Sequence, residues 1–192
     1  MSNYIKQQEK NLFHAFKSCG VLTQEHVDQY IAKSRLNYFV KCGYIQSASH
    51  FYTGNCITHV YFLTAKGKKF AAKHCVSGQF YRSSSATHDI AINNRYMALP
   101  LEQRLTWITE KELLDVLNQT LLSYEENKLY EEAEEIHGLM QNQNISPTDG
   151  GYMSGGQLHL IEVVTSNYTF EQVLAKCQFA QALNCRIDII KI

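Results

Sequence analysis

Apolar residues recur at helical spacing through the first forty positions, and the period then changes. Ile5, Leu12, Phe13 and Phe16 lie near the spacing of one helix face, while Lys6, Lys10 and Lys17 fall largely on others. This predicts an amphipathic helix over residues 4–18, stopped by Gly20. Thr23 is placed to cap a second helix whose apolar positions are Val27, Tyr30 and Ile31. Position N3 carries His26 where a capping box has Glu or Gln, so the box reads as incomplete. Ser34 is placed to cap a third helix running to Cys42, with Leu36, Phe39 and Val40 as an i, i+3, i+4 stripe and Arg35, Asn37, Tyr38 and Lys41 outside it. Beyond Gly43 the residues turn β-branched and aromatic. Tyr44–Tyr52 and Ile57–Leu63 predict two strands joined by a turn at Thr53–Cys56, and a further helix begins near Thr64.

Three helices followed by a hairpin is the order of a winged helix, and the local sequences are similar to that family. Ser34-Arg35-Leu36 through Lys41-Cys42-Gly43-Tyr44-Ile45 resembles a recognition helix entering a wing strand. Tyr61-Phe62-Leu63-Thr64-Ala65-Lys66-Gly67-Lys68 resembles the Y-x-L-T-x-K-G ending of winged-helix transcription regulators. The resemblance covers about the first 75 residues. It implies double-stranded DNA as partner, with Ser34, Arg35, Asn37, Tyr38 and Lys41 entering the major groove and Lys33 and Lys41 neutralising phosphates. Thr53, Asn55 and Thr58 of the wing would touch the backbone or the minor groove. Lys66, Lys68 and Lys69 read equally as a solvated face. A winged helix used for protein contacts is the alternative.

The second half changes pattern again. Residues 77–87, with Ser83-Ser84-Ser85 at their centre, read as a linker. His88–Leu99 is apolar at helical intervals and is stopped by Pro100; Thr109 caps another helix reaching about residue 122. Leu158–Val164 reads as a buried strand, Tyr168–Leu183 as a helix and Arg186–Ile190 as a closing strand, which together predict an α/β unit. The expected fold class is α+β: a winged helix-turn-helix over 1–76, a linker over 77–87, and a small restriction-endonuclease-like α/β module over 88–192.

Charge sharpens this division. The formal net charge is zero, yet residues 1–90 hold eleven Lys and Arg against four Asp and Glu, and residues 91–192 hold seven against fourteen. The basic half is the candidate for a polyanion. Six of the acids (Glu125, Glu126, Glu131, Glu132, Glu134 and Glu135) cluster within one stretch, either a solvated helix face or a surface for a basic protein partner. A hydrophobic content of 45% with two prolines supports folded cores. The polar first ten residues resemble no targeting segment, and no apolar run approaches the ~20 residues of a membrane helix. The six cysteines form no Cys-x-x-Cys pair, so free thiols and a cytoplasmic location are expected, with no membrane partner. His50, Cys56 and His59 come nearest to a zinc group, but their spacing fits no standard unit.

A carboxylate inside an apolar strand is costly unless paired, protonated or metal-bound, and Glu162 occupies such a position. Asp149 precedes it by thirteen residues, across a glycine-rich turn. On adjacent strands the two could hold Mg²⁺ against a phosphate. His88-Asp89-Ile90-Ala91-Ile92-Asn93, Thr109-Glu110-Lys111-Glu112-Leu113, Thr148-Asp149-Gly150-Gly151 and Ile161-Glu162-Val163 resemble motifs of the replication-relaxation family of plasmid and mobile-element proteins. The last two also resemble the Asp … Glu-x-Lys core of restriction-type nucleases. The lysine of that core is replaced by Val164, so the site reads as degenerate unless Lys176 on the following helix substitutes. The resemblance implies a site-specific DNA-binding protein of a plasmid, phage or conjugative element, acting in transcription control or as an accessory in replication or mobilisation. It would be a homodimer needing no cofactor. One alternative is a Mg²⁺-dependent nuclease using Asp149, Glu162 and Lys176. Another is an inhibitor that engages a protein through its acidic half.

Overall fold

Local sequence accounts for the opening elements of the computed structural model, which describes residues 5–52, 56–81 and 85–192, with the side chains of 50–52 and 56–57 excepted. Helix α1 (Gln7–Cys19) buries Leu12, Phe13, Ala15, Phe16 and Cys19. Its first turn is held by Glu9, whose carboxylate accepts the Lys6 backbone N–H at 2.8 Å. Strand β1 (Val21–Thr23) and the short α2 (Gln24–Asp28) follow. His26 completes the capping arrangement that its sequence position lacked: its Nδ1 accepts the Thr23 N–H at 3.3 Å while Thr23 Oγ1 accepts the His26 N–H at 3.4 Å. Helix α3 (Lys33–Lys41) starts with Ala32 at its cap and not Ser34, so the Ser34 side chain is left on the exposed surface.

Strands β2 (Ile45–Tyr52) and β3 (Cys56–Leu63) form the hairpin, and β1 pairs on the far side of β3, giving an antiparallel sheet of order β1-β3-β2. This is the winged-helix arrangement. Thr53 and Asn55, with the turn they were expected to form, lie outside the described residues. Phe13 and Phe39 meet edge to face at 5.2 Å between centroids, locking α3 onto α1. Helices α4 (Ala65–His74), α5 (Ala86–Ala98) and α6 (Leu101–Leu105) complete the first unit.

The chain divides at Leu105 and Thr106, not at the Ser-rich segment over 77–87. The physical reason is the packing of α5, whose Ile90 joins Val21 and Val60 in one buried cluster on the sheet. The approach to α5 is also tied down: the Tyr81 N–H donates to the Lys17 carbonyl at 2.8 Å, and its hydroxyl lies 3.3 Å from His88 Nδ1. Residues 82–84 lie outside the described residues.

The second unit contains β4 (Ile108–Thr109), α7 (Glu110–Glu126), α8 (Tyr130–Gln141), β5 (Gly150–Ser154), β6 (Gln157–Val164), α9 (Phe170–Ala182) and β7 (Arg186–Lys191). Its sheet has the order β4-β5-β6-β7; β5 and β6 are antiparallel, and α9 carries the chain across to a parallel β7. Leu113, Leu117 and Leu121 of α7 form a core with Ile136 of α8, Leu160 of β6 and Phe179 of α9. The six clustered glutamates span the end of α7 and the start of α8, and all are exposed. The fold class is thus α+β. No helix among the described residues is long and apolar enough to cross a membrane.

Candidate functional site

Helix α3 has two faces of different chemistry. Leu36 and Phe39 are buried, whereas Lys33, Ser34, Asn37, Tyr38 and Lys41 are exposed. None of its nine residues is acidic. Arg35 differs from its neighbours. Its Nε donates to Glu9 of α1, and its guanidinium carbon lies 4.6 Å from the ring centroids of both Tyr38 and Phe39. The Glu9 carboxylate therefore holds α1's own first turn and the root of α3 together. Beside this pair a polar cleft of about 770 Å³, lined by Lys6, Gln8, Asp28, Ser34 and Arg35, opens at the start of α3.

The C-terminal end of α3 is closed by the motif that begins α4. The Thr64 hydroxyl donates to the Gly43 carbonyl at 2.6 Å and accepts the Gly67 N–H at 3.0 Å. Lys66 Nζ donates to the Cys42 carbonyl at 2.8 Å and lies 5.1 Å from the Tyr44 centroid. Gly67 is required sterically: a Cβ there would stand 1.9 Å from the Tyr44 carbonyl oxygen. The resemblance at Thr64-Ala65-Lys66-Gly67 thus has a physical content, since three of the four residues grip the turn that ends α3. This gives Lys66 a structural partner, whereas Lys69 and Lys73 remain exposed on α4. The wing hairpin over 45–63 contains no Lys or Arg, and Thr58 within it is half-buried. Among the described residues the Lys and Arg of the first unit lie on its helices, apart from Lys6 at the cap of α1.

In the second unit three sequence candidates come together. Glu162, on β6, is fully buried, and Asp149 is 8% exposed just before β5. The Asp149 N–H donates to Glu162 Oε2 at 3.0 Å, and Asp149 Oδ2 accepts the Val163 N–H at 2.8 Å. Lys176 reaches in from α9: its Nζ lies 3.2 Å from Glu162 Oε1 and also donates to the Pro147 carbonyl. The Tyr168 hydroxyl, which sequence reasoning missed, donates to the same Glu162 oxygen at 3.1 Å. Burial pushes the Glu162 carboxyl up to about 7, with the negative charge of Asp149 adding to the rise and Lys176 opposing it.

Carboxylate oxygens are the right donors for Mg²⁺. However, Glu162 already accepts from Asp149, Tyr168 and Lys176, so a cation would have to displace the ammonium or the hydroxyl. Among the described residues no three His, Cys, Asp or Glu side chains are grouped to hold a metal; those of His50 and Cys56 lie outside that description. Cys19, Cys42, Cys75, Cys177 and Cys185 are free thiols.

No protein-family model matches the chain, and no curated protein matches it. Among solved structures, PadR of Bacillus subtilis in complex with operator DNA is similar over 95% of this chain and 91% of that one, at 13% identity and a TM-score of 0.33. Identity and score are both too low to transfer the role of any residue.

Proposed function

We propose that this protein binds a specific site in double-stranded DNA, with α3 in the major groove. The observation that supports this most directly is the exposed, acid-free face of α3 carrying Lys33, Ser34, Asn37, Tyr38 and Lys41. Lys33 and Lys41 meet phosphates; Ser34 and Asn37 offer donors and acceptors to base edges. Arg35 serves mainly to hold α3 in place, because Glu9 already engages it. The uncapped start of α3 offers backbone N–H groups to a phosphate beside Lys33. The unit over 1–105 carries thirteen Lys and Arg against five Asp and Glu, which supplies the long-range attraction. The role is transcription control, or accessory work in replication or mobilisation of a mobile element, by a homodimer in the cytoplasm.

Random-oligonucleotide selection followed by a salt titration tests this reading. Lys33→Ala and Lys41→Ala should each lower the log–log salt slope by about 0.9, and Asn37→Ala should relax selection at one base pair by about 1–3 kcal/mol. Recovery of no consensus site, with no affinity at low salt, would sink it.

The convergence of Asp149, Glu162 and Lys176 supports a second reading, a Mg²⁺-dependent nuclease. In it the carboxylates would hold the ion, which would supply Lewis-acid stabilisation of a phosphate, and Lys176 would position the attacking water. Cleavage of plasmid or single-stranded DNA with Mg²⁺, abolished by Asp149→Asn, would establish this. Absence of cleavage in either Mg²⁺ or Mn²⁺ leaves the cluster as an internal ion-pair network.

A further inference from the structure

Helix α5 covers only part of the sheet in the first unit. Ile90 seals Val21 and Val60, as described above. Toward the start of α5 a cavity of about 360 Å³ remains, bounded by Ala48 and Phe62 of the two wing strands, Phe16 of α1, Tyr81, and Ala86 at the first turn of α5. Both polar ends of Tyr81 are engaged, its N–H with Lys17 and its hydroxyl with His88, so the cavity meets its ring. Among the described residues one charged group lines the space, Lys68 of α4. Lys68 is exposed, its Nζ is 5.9 Å from the Phe80 centroid, and no carboxylate among the described residues pairs with it. No acidic side chain among the described residues lines the cavity.

We infer that this cavity is a binding site for a small hydrophobic anion of one to three rings, with its rings against Phe62 and Tyr81 and its acid group on Lys68. The volume lies at the low end of the ~300–1,000 Å³ range of small-molecule sites, and an apolar lining with one oriented polar group is their usual composition. A neutral apolar molecule would gain nothing from the Lys68 ammonium, and a hydrophilic one would gain nothing from Phe16, Val60 and Phe62. The walls include both wing strands and the base of α5, so an occupant braces the wing against the body of the unit. This last consequence rests on the DNA-binding reading; occupancy of the cavity does not.

The test uses the full-length protein and two fluorescent probes: 1-anilinonaphthalene-8-sulfonate, an aromatic sulfonate, and uncharged N-phenyl-1-naphthylamine. The sulfonate should bind the folded protein saturably at one site. Ala48→Phe, which fills the cavity from an exposed strand position, should weaken both probes more than tenfold. Lys68→Gln should weaken the sulfonate by about tenfold and leave the neutral probe unchanged; Ala86→Phe, at the first turn of α5, is a second filling variant should Ala48→Phe not fold. Circular dichroism and a cooperative melt establish the folded state of each. Absence of saturable binding, or binding indifferent to the filling variants, overturns the site; loss of both probes equally in Lys68→Gln overturns the assignment of an anion. DNA affinity measured with and without saturating sulfonate is a separate readout. If DNA never binds while the probe does, the DNA-binding reading fails and the cavity stands.

Discussion

Glu9 of α1 and Arg35 of α3 form an ion pair in which the glutamate side chain is 4% and the arginine side chain 38% exposed. The acid is therefore the partner that cannot fall back on water. Removing Arg35 strands a buried carboxylate, whereas removing Glu9 leaves an arginine that can turn to solvent. Urea unfolding should show Arg35→Met destabilised by about 2 kcal/mol and Glu9→Gln by less. The double variant should lose less than the sum of the two. Strict additivity would mean that the pair contributes no coupling.

The contact between Gly67 and the Tyr44 carbonyl leaves no room for a methyl group. Gly67→Ala must shift α4 or the end of α3, at a cost of about 3 kcal/mol or more, despite the better helix propensity of alanine. Lys66→Ala removes a hydrogen bond at an exposed position and should cost under about 1 kcal/mol. Thermal unfolding of the two variants separates a steric role from a capping one; near-equal losses would contradict the geometry.

Glu162 makes the stability depend on pH in an unusual direction. Its folded-state value, about 7, lies above the ordinary 4.5, so between those values the native state holds a proton that the unfolded state has released. Its contribution is complete below pH 4.5 and is lost as pH rises through 7, amounting to about 3 kcal/mol from the size of the shift. Chemical-denaturation midpoints for wild type and Glu162→Gln from pH 4.5 to 8 check this. The variant should be flatter and gain relative stability as pH rises. An unchanged slope would mean that Lys176 keeps the carboxylate ionised throughout.

Gly150 faces the only tryptophan of the chain, and a Cβ there would lie 2.5 Å from the Trp107 ring. Gly150→Ala should move the indole, shift its emission and destabilise the protein by about 1–3 kcal/mol. An emission spectrum identical to wild type would show that the backbone absorbs the methyl elsewhere. The neighbouring Gly151 is confined in the same way, with the His159 carbonyl 2.9 Å from its would-be Cβ. These contacts give a steric reason for two glycines following Asp149.

Much of the first unit was legible in the sequence because its signals are local. Period 3.6 marked α1 and α3, the change to β-branched and aromatic residues marked the hairpin, and Thr64-Ala65-Lys66-Gly67 marked the start of α4. In the second unit, β5 escaped notice because Gly150 and Gly151 read as a turn, and β4 is only two residues long. Asp149 and Glu162 were legible as a pair because one costly carboxylate in an apolar strand demands a partner.

Periodicity and residue type alone therefore determined the main helices and the longer strands, which face of α3 is polar, and where charge accumulates. These properties depend on neighbours a few positions away. Tertiary structure decided what depends on distant ones: the assignment of α5 to the first unit, the anchoring of Arg35 by Glu9 across 26 positions, and the meeting of Lys176 and Tyr168 on one oxygen of Glu162. A side chain's spacing tells which face it occupies, but its partner is chosen by the packing of elements that local sequence does not encode.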